Sequence, residues 1–142
     1  MDYVSIILSA AKTAKVSGTL LLAICSHESN NFTQTFVQYD GGSPSHGICM
    51  VKESTARFLG YKGTTKNLHN PSINAKYSAL YLKYQLDRYE GDTCKATAAY
   101  NAGKFNESKK YPGKPRNLKY IKRVQEKLPD GHQKLLSCED TQ

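Results

Sequence analysis

The sequence predicts a mainly α-helical single domain with at most a small β-ribbon. Three observations lead there. Apolar residues recur at helical spacing in several separate stretches, and helix caps and glycine stops punctuate them. Only residues 30–46 are rich enough in Asn, Gly, Ser and Pro to read as a loop, with room for a short β-ribbon. The 142 residues suffice for one modest core, and no repeat, low-complexity run or linker interrupts them. We place the folded domain at residues 1–128 and a polar, loosely held tail at 129–142.

Taken in order, Val4, Ile7, Leu8, Ala11 and Ala14 form one stripe of a helix over residues 2–15. Ser17 can cap a second helix through Leu20, Leu21, Leu22, Ala23 and Ile24, which is apolar on every side and so belongs in the core. After the 30–46 loop, a short helix at residues 52–59 stops at Gly60. Asn70-Pro71 opens a long helix on which Ile73, Tyr77, Leu80 and Tyr84 share a face, closing near Gly91. Asp92 caps a further helix that Gly103 ends. Residues 104–116 form a basic loop, and Leu118, Ile121, Val124 and Leu128 make a last amphipathic stripe before Pro129.

Composition narrows the function classes. No stretch is long and apolar enough to span a bilayer. The chain opens with Asp2 and no Lys or Arg before Lys12, unlike an export signal, and is read as mature helix. The four cysteines (Cys25, Cys49, Cys94, Cys138) contain no Cys-x-x-Cys, so neither a zinc knuckle nor a redox motif is supported. Without an export signal they are expected as free thiols; an oxidising compartment leaves three pairings open. Net charge is +8, and from Lys104 to Lys127 nine basic residues face two acids. That stretch favours a polyanion: nucleic acid, anionic lipid or a carboxylate-bearing wall. It lacks helix-turn-helix spacing, an RNA-binding aromatic signature and a zinc site, so no nucleic acid partner is expected.

Glu28 is the most informative residue. It follows Ile24 by four positions and Leu21 by seven, which places it on the buried face of a continuous helix. It also lies at that helix's C-terminal end, where the dipole disfavours negative charge. Both effects raise a carboxyl pKa, as general-acid cleavage of a glycosidic bond requires. The competing reading is a frayed helix end with Glu28 turned to solvent. His27-Glu28 lacks the second histidine of a zinc helix, since Asn31 stands there, so no metal is expected. Neither a Gly-x-Ser-x-Gly elbow nor a phosphate-binding glycine loop is present. Cys25, inside an apolar helix, reads as inert filling.

Several blocks then resemble a known family. Glu28-Ser29 ends an apolar helix, and Gly47-Ile48-Cys49-Met50-Val51 follows with Ser54-Thr55-Ala56. Next come Ala99-Tyr100-Asn101-Ala102-Gly103 and Tyr120-Ile121, with Asn70-Pro71, Asn74 and Tyr81-Leu82 between. Over residues 2–125 this order is similar to the soluble lytic transglycosylase (SLT) family. The resemblance implies a lysozyme-like fold, a catalytic cleft and cleavage of the MurNAc–GlcNAc linkage of peptidoglycan to 1,6-anhydro-muramyl products, without a cofactor. It makes Glu28 the single acid and base, and Ser29 a hydrogen-bonding neighbour of carboxylate or substrate. Tyr100 and Asn101 line the sugar cleft, Tyr120 orients Glu28, and Gly47 serves the turn beneath. Met50 replaces the family's usual Gln, removing or altering one sugar contact, and Glu53 reads as a surface helix residue. His46 is expected to be a solvated turn residue rather than a sugar-stacking one.

Asp40 sits in Tyr39-Asp40-Gly41-Gly42, roughly where goose-type lysozymes place a water-positioning acid. A hydrolytic muramidase is therefore the second reading, against a plain Asp-Gly turn. A monomer acting on peptidoglycan is expected, with envelope contact through residues 104–127. Lacking a leader, anchor or wall-binding module, it is expected to be made in a host cytoplasm and to act at the wall or periplasm, as a phage lysin or virion enzyme.

Overall fold

The computed structural model describes residues 2–39 and 42–138. Asp40 lies outside the described residues. By contacts within the chain these residues form two compact units that divide between Tyr81 and Leu82.

In the first unit, helix α1 spans Tyr3–Ala14. The Asp2 carboxylate accepts the Ser5 N–H at 2.8 Å, and Lys15 closes the helix in the left-handed region at φ 62°. Its buried residues are Ile6, Ile7 and Ala11, whereas Val4 and Leu8 are about two-fifths exposed. The stripe read from sequence is thus rotated: Ile6 replaces Leu8, and both sets satisfy helical spacing. Helix α2, Gly18–Glu28, begins as expected at Ser17, whose hydroxyl accepts the Leu20 N–H at 3.1 Å. Leu20, Leu21, Ala23, Ile24 and Cys25 are buried, so this all-apolar helix is the core element it was expected to be.

The short β-ribbon expected within residues 30–46 is present as part of a small sheet. Strands β1 (Val37–Gln38), β2 (Ser45–His46) and β3 (Val51–Lys52) form an antiparallel sheet in that order, pairing Val37 with His46 and His46 with Val51. Helix α3 (Glu53–Phe58) follows directly, and a 3-10 turn spans Lys66–His69. Helix α4 runs Pro71–Arg88. Its cap is Asn70, whose side-chain oxygen accepts from Ser72 and Ile73 at 2.9 and 3.2 Å.

The face that α4 buries differs from the one its apolar residues suggested. Asn74, Ala75, Ser78, Ala79, Leu82 and Gln85 are fully buried, while Tyr84 is exposed and Ile73, Tyr77 and Leu80 are intermediate. Small and amide side chains occupy the inner face, and Asn74 among them satisfies backbone groups that an apolar residue would leave unpaired.

In the second unit, α5 (Thr93–Ala102) starts at Asp92, which accepts the Lys95 N–H at 2.9 Å, and stops at Gly103 with φ 88°. Helix α6 (Leu118–Glu126) buries Ile121 and Val124, and Leu128 beyond it is buried too. The 104–116 segment is a loop closed by a bridge between Glu107 and Pro115. No described helix is long and apolar enough to cross a membrane.

Two expectations are corrected. The four cysteines form Cys25–Cys49 and Cys94–Cys138 disulfides instead of free thiols, because the fold brings their Cα atoms to 4.3 and 5.1 Å. The described part of the tail is also held. Leu136 is fully buried, and the Gln125 side-chain amide donates to its carbonyl at 2.9 Å. Because Cys94–Cys138 closes a separation of 44 residues, replacing both cysteines with serine should cost on the order of 4 kcal/mol. Urea unfolding of the variant checks this; an unchanged midpoint would show that the bond contributes nothing.

Candidate active site

The residues singled out from sequence fall into two local groups. Glu28, Ser29, Gly47 and Met50 lie in the first unit; Tyr100, Asn101 and Tyr120 lie in the second.

Glu28 is the last residue of α2 and is half-buried. Four local devices hold it. The Ser29 hydroxyl donates to the Cys25 carbonyl at 2.9 Å and accepts the Phe32 N–H at 3.0 Å. Ser29 is itself fully buried, so it acts on the helix end. The Gln38 side-chain amide, on β1, donates to the Glu28 carbonyl at 3.0 Å. One turn back, Cys25 is bonded to Cys49. Beyond the helix, Asn30, Asn31 and Phe32 all take left-handed backbone with φ of 52°, 57° and 63°. Asn accepts that conformation readily; Phe does so only under constraint, supplied here by Ser29 and by the Tyr3 ring at 5.5 Å.

The turn at residues 47–50 is fixed as firmly. Gly47 has φ +81°, and a Cβ placed there would sit 2.3 Å from the Asn74 amide nitrogen. Glycine is therefore required twice over, by conformation and by space. Asn74 binds the turn on three sides: it accepts the Cys49 N–H at 2.8 Å and donates to the His46 and Leu68 carbonyls at 2.7 and 2.9 Å. The Gly47 N–H donates to the Phe36 carbonyl at 2.8 Å, and Met50, at φ 49°, closes the turn by donating to the Gly47 carbonyl. Met50 is buried. The disulfide and Asn74 thus clamp this turn to α2 and α4.

His46 is not the solvated turn residue expected from its neighbours. It lies on β2, nearly buried, with its Nδ1 3.1 Å from Nε2 of His69. The His69 ring stacks on the exposed Phe36 at 4.5 Å, and its Nδ1 is buried with no hydrogen-bond partner among the described residues. Burial, then the neighbouring His46, hold the His69 pKa below its ordinary 6.5. The unfolded chain therefore takes up this proton first. Stability should fall as pH drops from about 6.5 toward the depressed folded value, then level off. Thermal unfolding of His69→Gln should show a flatter pH dependence below 6.5; an identical slope would remove His69 as the cause.

Glu53 is the surface helix residue it was expected to be. Thr65 and then Arg57 hydrogen-bond it and hold its carboxyl below the usual range. Among the described residues no three His, Cys, Asp or Glu side chains come together as a cation set.

In the second unit Tyr100 on α5 and Tyr120 on α6 are both buried, and Asn101 is exposed. Asn117 links the two helices, donating to the Ala98 carbonyl at 3.0 Å and to the Asn101 side-chain oxygen at 2.9 Å. Asn117, Gln38 and His69 were not singled out from sequence. Their partners lie 10 to 23 positions away, and no local pattern announces such contacts.

The family model for the transglycosylase SLT domain matches residues 5–123, most of the chain and both groups. The chain belongs to the transglycosylase SLT domain family. Two solved structures share the SLT fold. One is an inactive mutant, glutamate to glutamine, of lytic transglycosylase Slt from Pseudomonas aeruginosa, 20% identical with a TM-score of 0.59. The other is the 70-kDa soluble lytic transglycosylase in complex with bulgecin A, 16% identical with a TM-score of 0.60. Each match covers 91% of this chain but 21% of the other, so this SLT chain spans about a fifth of either relative's length. The mainly helical fold with a small sheet is the one they share.

Proposed function

We propose that the chain is a peptidoglycan lytic transglycosylase that cleaves the β-1,4 MurNAc–GlcNAc bond with Glu28 as its only acid and base. The carrying observation is the placement of Glu28, a half-buried glutamate at the end of a core helix in an SLT-family chain. That a relative's inactive form replaces a glutamate by glutamine supports a glutamate in this role.

In the first step the Glu28 carboxyl gives its proton to the glycosidic oxygen as the muramyl C1–O bond breaks, releasing the GlcNAc hydroxyl. Positive charge develops at C1 beside the new carboxylate. In the second, the carboxylate takes the proton of the muramyl 6-hydroxyl while O6 bonds to C1. The acid is regenerated, the 1,6-anhydro ring closes, and no water is added. One group serves both steps only if it keeps its position, which the Gln38, Ser29 and disulfide contacts support. Tyr100, Asn101 and Tyr120 are proposed as sugar contacts, and the basic 104–127 segment as the contact to an anionic envelope. Incubation with purified peptidoglycan should release soluble muropeptides. A chain folded with both disulfides that releases none would overturn the proposal.

A further inference from the structure

A second concave site lies within the second unit. Helix α6 and the segment around 133–138 enclose a cavity of about 540 Å³, within the usual range for ligand pockets. Leu118, Ile121 and Leu136 line it with apolar surface, and Lys114, Lys122 and Lys134 bring three cations. No acidic side chain among the described residues lines it. The setting is cationic as well: residues 104–134 hold ten Lys and Arg against Glu107, Glu126 and Asp130.

The walls are built rather than incidental. Leu136 is fully buried with its carbonyl held by Gln125, and Lys114 Nζ donates to the Cys138 carbonyl at 2.7 Å. The Cys94–Cys138 disulfide anchors the end of the segment to α5. Six of the eleven lining residues lie beyond residue 123, outside the stretch matched to the SLT family.

We propose that this cavity binds a short peptide ending in a free carboxylate. Lysines beside apolar surface favour a ligand carrying both a negative charge and small apolar groups: the charge meets Lys122 and Lys134, and the apolar groups cover Leu118, Ile121 and Leu136. A bare phosphate would use the lysines and leave the apolar part uncovered. Wall peptides, with carboxylate ends and alanine methyl groups, have this chemistry; choosing them rests on the glycan-cleaving reading above.

The test is an amide NMR titration of the oxidised protein with N-acetyl-D-alanyl-D-alanine and, separately, inorganic phosphate. The expected result is saturable shifts at Leu118, Ile121 and Leu136 with the peptide, at a Kd of about 1 mM or tighter. Lys122→Glu with Lys134→Glu should weaken binding at least about tenfold without lowering the thermal midpoint. Phosphate moving the same amides as strongly, or no saturable shift with the peptide, would overturn the proposal. The titration needs no turnover, and Glu28→Gln should bind the peptide as the parent does. Failure of the glycan-cleaving reading and failure of this site are thereby told apart.

Discussion

Glu28→Gln is expected to reduce muropeptide release by roughly 10²–10⁴-fold, the range that one general acid–base group supplies. Glutamine keeps the shape and length of the side chain but cannot deliver a proton to the leaving oxygen or accept one from the 6-hydroxyl. The helix end should stay in place, because glutamine keeps two backbone contacts that fix it: the Glu28 carbonyl held by Gln38 and the Cys25 carbonyl held by Ser29. Thermal unfolding should therefore move little, and the loss should appear in kcat with no matching rise in KM. Retained lysis by a folded Glu28→Gln variant would remove Glu28 from the chemistry.

The second large effect concerns Asn74. Asn74→Ala leaves the Cys49 N–H and the His46 and Leu68 carbonyls without their partner in a region where all are buried or nearly so. With about 1–3 kcal/mol for each orphaned buried group, and some relief from water entering the space, a loss of about 3–5 kcal/mol is expected. Asn74→Asp should do no better: it can still accept from Cys49 but presents oxygen to two carbonyls. Gly47→Ala acts on the same turn from the other side, through φ +81° and a Cβ 2.3 Å from the Asn74 amide. Because the two residues touch, their effects should fall short of adding. Urea unfolding of the two single variants and the double variant, disulfides intact, measures this. Full additivity would mean that Asn74 and Gly47 do not form one clamp.

What could be read ahead of the structure was local. Ser17, Asn70 and Asp92 cap helices because a short polar side chain three positions ahead of an N–H is enough, and nothing distant is involved. The core status of α2 followed from its unbroken apolar run. What escaped depends on partners far along the chain. His46 is buried by pairing with Val37 on β1 and with His69, 23 positions on. The buried face of α4 is set by Asn74 reaching back to residues 46 and 49, which outweighs the apolar stripe of Ile73, Tyr77 and Leu80. The disulfides needed the same long-range information, since spacing alone leaves three pairings. For the candidate site, the order of Glu28, the 47–50 turn, residues 99–103 and Tyr120 was legible as motif. The contacts that hold Glu28's helix end were not: Ser29, expected to bond the carboxylate or substrate, instead bonds the Cys25 carbonyl and the Phe32 N–H.

The mass of the muramyl end released from purified peptidoglycan tests the central claim most directly. If Glu28 alone serves as acid and base, the parent protein should leave 1,6-anhydro-muramyl ends, one water lighter than reducing ends, and Glu28→Gln should leave neither. Reducing muramic acid as the main product would contradict the single-glutamate account, because water would then be the nucleophile and a second group would have to position it.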